Sequence, residues 1–155
     1  MILRIMKYAA LFVCILAQAF AAEPIAGKWL LKSQQVAGQE TTSRPLTLRI
    51  TQAGDALEFE YSVMVNQKQE VSLRFAARLD GSEADVKNSA GSKIGTAKVK
   101  RFGSSQYLVM LEGANRPTTS GRLTLSGNGK TLVSESDATA PGGAKTHTVQ
   151  TFERQ

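Results

Sequence analysis

Hydrophobic and polar residues alternate with a period of two through the central part of the chain. Residues 46–51, 57–65 and 71–78 each place an apolar side chain at every second position, with polar or small residues between most of them. Successive side chains of a β-strand point to opposite faces of its sheet, so each segment predicts a strand with one buried face and one face in water.

Segments rich in Gly, Asn and Asp punctuate the chain at a spacing of ~8–12 residues, which is typical of an all-β sandwich or barrel. These residue types adopt the positive φ that tight hairpin turns require. We therefore predict an all-β fold, an antiparallel up-and-down meander of 8–10 strands without a long helix. Residues 33–45 are predicted as the one long connection, holding a short helical turn or a flap. The turn segments are 53–55, 66–68, 80–81, 88–92, 103–104, 113–117, 127–129 and 140–143.

The alternation weakens in the second half, where further strands are predicted at 93–102, 105–112, 117–125, 130–137 and 145–153. Leu132 shares its parity with Ser134 and Ser136, whereas Val149 and Phe152 have opposite parity. One interpretation is a set of bulges or edge strands, which are common in small β domains. The other is a partly polar interior, as in a barrel that holds a ligand and water.

The first 21 residues carry the three parts of a secretory signal peptide. Arg4 and Lys7 precede an apolar segment at 8–17, and Ala19-Phe20-Ala21 matches the small-x-small cleavage pattern. A membrane-spanning helix needs ~20 apolar residues, and this segment is shorter, so we predict cleavage after Ala21, with cleavage after Ala19 as the alternative. The prediction is a signal peptide at 1–21, a single domain at 22–155 that does not span a membrane, and a periplasmic or secreted bacterial location.

Cleavage changes the chemistry that remains. Cys14, the only cysteine, leaves with the signal peptide, so the mature chain has no disulfide and no thiol nucleophile. Loss of Arg4 and Lys7 lowers the formal net charge from +6 to +4. This mild charge permits weak attraction to anionic surfaces, and together with export it argues against nucleic acid as a partner.

The two ends of the predicted domain carry a further pattern. Gly27-Lys28-Trp29 opens the first strand, residues 129–132 read Gly-Lys-Thr-Leu, and Phe152-Glu153-Arg154 closes the last strand. This layout resembles the calycin superfamily of lipocalins, fatty-acid-binding proteins and bacterial relatives, including small exported lipocalin-like proteins of unknown role. The resemblance implies a closed barrel in which Gly27, Trp29 and Arg154 seal one end, with the Arg stacked across the indole.

The layout also resembles the bacterial metalloprotease-inhibitor barrel, which likewise begins near a G-x-W. Only residues 22–26 could match its inhibitory arm, and its disulfide is missing here.

No catalytic constellation is apparent in the sequence. His147 is the only histidine, and a lone His without cysteine makes a poor zinc site. We interpret it as an exposed strand residue. No G-x-S-x-G nucleophile motif occurs. The prediction is a non-enzymatic protein without catalytic residues, metal site or cofactor.

A basic segment contains Lys93, Lys98, Lys100 and Arg101. Lysines often guard an edge strand against pairing with another chain. The alternative is contact with an anionic lipid or polysaccharide in the cell envelope.

The function predicted is binding of a small apolar or amphipathic molecule inside the barrel. The tyrosine hydroxyls would supply polar contacts, and Arg101 would meet a carboxylate if it points inward. The alternative for the interior is a packed core, in which these side chains fill the space and leave no room for a ligand. For the protein as a whole, the alternative is an envelope interaction module or inhibitor-like barrel that binds a protein partner through its loops. The candidate ligand-binding residues are Phe59, Tyr61, Val63, Leu73, Phe75, Arg101, Tyr107 and Val109.

Overall fold

The computed structural model describes residues 22–155. The predicted signal peptide, with Cys14 and both cleavage positions, lies outside the described residues. The described part contains eleven strands and no helix. They are β1 (Gly27–Val36), β2 (Gln39–Glu40), β3 (Leu46–Ala53), β4 (Ala56–Val65), β5 (Lys68–Arg78), β6 (Asp80–Lys87), β7 (Lys93–Phe102), β8 (Gln106–Glu112), β9 (Thr118–Leu125), β10 (Thr131–Thr139) and β11 (Lys145–Arg154).

The strands form one antiparallel sheet that closes on itself. From β3 to β11 each strand pairs with the next in sequence, and β1 joins β3 on one side and β11 on the other. Short β2 pairs only with the end of β1, so the closed barrel has ten strands. This confirms the predicted fold class, and closure leaves few unpaired strand edges.

The segment at 33–45 differs from its prediction. β1 continues to Val36, and a turn at Ala37 and Gly38, both with positive φ, leads directly into β2. Only residues 41–45 remain as a connection, and they contain no helix. The prediction of a flap or helical turn was wrong because the polar residues 33–36 gave no period-two signal, although β11 pairs with them.

One half of the barrel interior is packed. Phe59 and Phe75 stack with ring centroids 4.8 Å apart at an interplanar angle of 14°. Around this pair lies a cluster of side chains that are almost fully buried, contributed by strands on all sides of the barrel. Its largest members are Trp29, Tyr107, Phe59, Phe152, Ile25, Leu48, Ile50, Leu57 and Leu132.

The weak alternation of the last strands reflects what the interior contains. Leu132, Ser134 and Ser136 of β10 pair in continuous register with Phe152, Gln150 and Thr148 of β11. Ser134, Ser136 and Gln150 line an interior cavity. Because this register has no bulge, the structure favours a partly polar interior for β10 and β11.

Candidate functional site in the barrel interior

The closed end of the barrel is built around Trp29. The Arg154 guanidinium carbon lies 4.3 Å from the centroid of the Trp29 ring, a cation–π contact. Arg154 donates hydrogen bonds to the carbonyl oxygens of Gly129 (2.7 Å), Ala26 (2.8 Å) and Pro24 (2.6 Å). The indole Nε1 donates to the Ile25 carbonyl at 3.0 Å. Arg154 thereby ties the segment before β1 to the turn before β10 across the fully buried indole.

Gly27 belongs to the same contact. A Cβ atom at this position would lie 2.8 Å from Nη1 of Arg154, too close for two non-bonded atoms. The missing side chain therefore lets the guanidinium approach the backbone.

A second polar contact at this end involves Glu23. Its carboxylate accepts hydrogen bonds from Arg101 Nη1 at 3.0 Å and from the Tyr107 hydroxyl at 2.9 Å. Burial, reinforced by the Glu23 carboxylate, raises the pKa of Tyr107 to about 12. The Tyr107 ring is fully buried in the packed half. Arg101 and Tyr107 therefore both belong to the closed end of the barrel.

The other half of the interior contains two neighbouring cavities that share Leu73, Leu111 and Thr119 in their walls. The larger, about 330 Å³, lies toward the end of the barrel formed by the turn at 113–117, where Glu112 and Arg116 stand at its mouth. The smaller, about 140 Å³, lies deeper, between Tyr61 and Gln150. Together they reach the size at which small-molecule pockets occur in proteins.

The wall of these cavities is apolar on one side. This apolar side consists of inward-facing side chains from β4 to β8. Tyr61 is the polar exception in this arc, and burial raises the pKa of its hydroxyl to about 12. It therefore remains a neutral hydrogen-bond donor at physiological pH. The apolar members are Leu73, Val86, Ile94, Val109 and Leu111.

The opposite side carries most of the uncharged polar groups. Thr119 of β9, Ser134 and Ser136 of β10, and Gln150 of β11 line it, together with the apolar Leu123 of β9 and Ala138 of β10. Gln150 Nε2 donates to Gln34 Oε1 at 2.7 Å. In turn, Gln34 Nε2 donates to Thr41 Oγ1 at 3.1 Å. This chain of amide and hydroxyl groups leads from the deep cavity toward the connection after β2.

The eight predicted ligand-binding residues fall into different parts of the barrel. Tyr61, Leu73 and Val109 line the cavities. Phe59, Phe75 and Tyr107 lie in the packed half, and Val63 is half-buried on β4. Arg101 does meet a carboxylate, but it is that of Glu23 at the closed end, because Arg101 stands one residue before the end of β7.

Sequence reasoning missed all the polar groups of the lining on β9 to β11. Thr119, Ser134, Ser136 and Gln150 line the deep cavity and were not candidates, and neither was the apolar Leu111 on the other side. The available signal was the broken alternation at 130–137 and 145–153, where polar residues hold the positions that continue Leu132 and Phe152 along the inner face.

The outer surface carries an apolar patch on β7 and β8. Phe102 is 62% exposed and Leu108 40% exposed, and Met110 is also exposed. The register places Lys100 opposite Leu108, and Lys98 opposite Met110. We call Phe102, Leu108 and Met110 the outer patch.

His147 lies on the outer face of β11, where its Nδ1 is 2.8 Å from Asp137 Oδ1 and both side chains are exposed. Residues 22–155 contain no group of three or more His, Cys, Asp or Glu side chains arranged to hold a metal ion. Nor do these residues include a helix that is long and apolar enough to cross a membrane.

No family model matches the chain, and no curated protein sequence matches it. Solved structures do match. A zebrafish ileal bile acid-binding protein complexed with cholic acid superposes with a TM-score of 0.55 and 20% identity, covering 85% of this chain and 99% of that one. A mutant of the REP1-NXSQ fatty acid transporter gives 0.58 and 16%, covering 86% and 100%. The S-type phycobiliprotein lyase CPES from Guillardia theta gives 0.57 and 11%, covering 86% and 89%.

At these identities the likeness concerns the fold alone. The chain has a lipocalin-like, calycin-type barrel, as the G-x-W start and the C-terminal Arg implied.

Proposed function

We propose that this protein is an exported, non-enzymatic barrel that binds a small apolar or amphipathic molecule in the open half of its interior. The observation that carries the proposal is the pair of adjoining cavities lined by Leu73 and Leu111 opposite Ser134 and Gln150. Transfer of apolar ligand surface from water to such a wall contributes about 25 cal/mol per Å² buried, and the polar groups orient the ligand.

Two of the similar barrels support a binding role by what their descriptions state. One is a bile acid-binding protein seen with cholic acid, and another is a fatty acid transporter. The third is a lyase, so the fold by itself is compatible with catalysis. The non-enzymatic assignment follows from the sequence, in which no nucleophile motif accompanies the single histidine. The location in the periplasm or outside the cell follows from the pattern of residues 1–21.

The test is native mass spectrometry of the protein purified from its own cell envelope, compared with two tryptophan variants. Leu111→Trp fills space in both cavities, because Leu111 lines each of them. Leu108→Trp is the matched control, since Leu108 lies on the same strand with its side chain exposed on the outer face.

We expect a bound small molecule in the wild type and in Leu108→Trp, and a strongly reduced bound fraction in Leu111→Trp. Repeated isolation of the wild type without any bound molecule would contradict the proposal. So would equal retention by the two variants.

A second candidate function is contact with an anionic surface of the envelope through the outer patch. Exposed apolar side chains beside lysines are typical of surfaces that lie in a membrane interface. Phe102→Ser should lower co-sedimentation with vesicles containing 30% phosphatidylglycerol. Equal sedimentation with pure phosphatidylcholine vesicles, or no effect of the substitution, would argue against this candidate.

A further inference from the structure

The two sides of the cavity differ in chemistry in a way that restricts the ligand. We propose that the ligand is facially amphipathic: a compact molecule with one apolar face and an opposite face that carries several uncharged hydrogen-bonding groups, such as hydroxyls. This inference rests on the proposed binding function and names the chemical class that the same site takes.

The apolar face of the ligand would lie against β5 to β8. Leu73, Val109 and Leu111 project into the deep cavity from this side, and Val86 and Ile94 continue the wall toward the mouth. Tyr61, on neighbouring β4, adds an aromatic edge with one neutral hydroxyl. The arc therefore offers almost only carbon surface to a bound molecule.

The polar face would lie against β9 to β11, which contribute these hydrogen-bonding groups to the wall together with the apolar Leu123 and Ala138. Ser134 and Ser136 are two residues apart on one face of β10, a separation of about 7 Å. Gln150 lies directly opposite Ser134 in register, and Gly121 opposite Ser136. Because Gly121 has no side chain, the Ser136 hydroxyl is not covered from β9. Ser134, Ser136 and Gln150 thus form one patch of hydrogen-bonding groups, which we call the polar patch.

A plain alkyl chain would suit only half of this cavity. Pressing hydrocarbon against a hydroxyl or amide that then loses its hydrogen bonds is unfavourable for each such group. A hydroxylated face would replace the lost bonds, since serine hydroxyls both donate and accept. Gln150 Nε2 uses one hydrogen for Gln34, and its amide has further donor and acceptor capacity.

The charged residues of the lining do not alter this assignment. Glu112, Arg116 and Arg122 are exposed, and the lining side chains of the polar patch are uncharged. Burying an unpaired charge beside them would be costly. We therefore expect the enclosed part of the ligand to be neutral, with any ionised group at the mouth near Arg116.

The experiment compares two steroid acids that share one ring skeleton and one carboxylate. Cholic acid carries three hydroxyls on a single face, and 5β-cholanic acid carries none; both serve as chemical probes of the cavity. Each is titrated into the wild-type protein loaded with the fluorophore 1-anilinonaphthalene-8-sulfonate, and displacement gives an apparent Kd. The same titrations are run on the double variant Ser134→Ala/Ser136→Ala and on Ser120→Ala, which removes an exposed hydroxyl from β9.

We expect the double variant to shift the affinity ratio of the two probes by at least tenfold toward the unhydroxylated acid, and Ser120→Ala to leave the ratio unchanged. Gln150→Met should shift the ratio in the same direction, which provides a second variant if the first does not fold. An unchanged ratio in folded variants that bind both probes would overturn this inference but leave the proposed function standing. Failure of the wild type to bind the fluorophore and either probe would overturn both.

Discussion

Loss of the Arg154 guanidinium should destabilise the closed end of the barrel. Arg154→Met keeps the unbranched stem but loses the charge over Trp29 and the bonds to the Gly129, Ala26 and Pro24 carbonyls. The cation–π contact contributes about 0.5–2 kcal/mol. The Gly129 and Ala26 bonds are partly buried, and we assign them about 1–2 kcal/mol each. The Pro24 bond is exposed and is counted as zero.

The expected loss is therefore about 2.5–6 kcal/mol of unfolding free energy, a large part of the ~5–15 kcal/mol typical of a domain. Arg154→Lys should lose about half as much, because an ammonium group keeps the charge but cannot direct hydrogen bonds as a planar guanidinium does. Arg122→Met, on the exposed face of β9, is the matched control and should stay within about 0.5 kcal/mol of wild type.

Urea unfolding followed by far-ultraviolet circular dichroism and by the fluorescence of Trp29, the only tryptophan, measures these differences. The two signals should give the same transition if unfolding is two-state. If Arg154→Met and Arg122→Met lose equal free energy of unfolding, the Arg154 contact does not stabilise the barrel.

Two further substitutions and one pH dependence test other parts of the structure. Gly27→Ala should cost about 1–3 kcal/mol in urea unfolding, because the added Cβ would displace the Arg154 guanidinium; unchanged stability would contradict this. Phe59→Ala should cost about 3–5 kcal/mol, since Phe59 is fully buried, whereas Phe102→Ala on the outer face should change stability by less than about 0.5 kcal/mol. The raised pKa of Tyr107 stabilises the folded state below pH 10, and this contribution disappears as the pH rises from 10 to about 12. At pH 11 the loss is about 1.4 kcal/mol, so wild type should lose more stability than Tyr107→Phe between pH 9 and pH 11, and parallel losses would refute the assignment.

The sequence predicted the architecture well because two local signals agreed. Period-two alternation marked the early strands, and Gly, Asn and Asp marked the turns between them, as at Gly54 and Gly129 with their positive φ. Both signals depend only on neighbouring residues. The seal was also foreseen, because Trp29 and Arg154 stand at recognisable places near the two ends of the domain, and the register pairs them directly.

The candidate site was predicted less completely. Tyr61, Leu73 and Val109 were identified because apolar or aromatic residues recur at every second position of their predicted strands. Ser134 and Gln150 were not, since a polar residue on an inner face looks the same in sequence as one that faces water. A local sequence pattern does not indicate which end of the barrel a side chain occupies. The contact of Arg101 with Glu23, 78 positions away in the chain, was therefore not predicted.

What the sequence determined by itself is the strand pattern and the turns, which follow from residue type and short-range spacing, and the two residues that meet at the closed end, Trp29 and Arg154, which stand at recognisable places in the chain. Only the tertiary structure decided that one half of the interior is packed around Phe59 while the other half keeps a cavity between Leu111 and Ser134. The physical reason is closure. When the sheet closes, residues distant in sequence meet across the interior, and the volumes of their side chains decide where the space is filled and where it stays open.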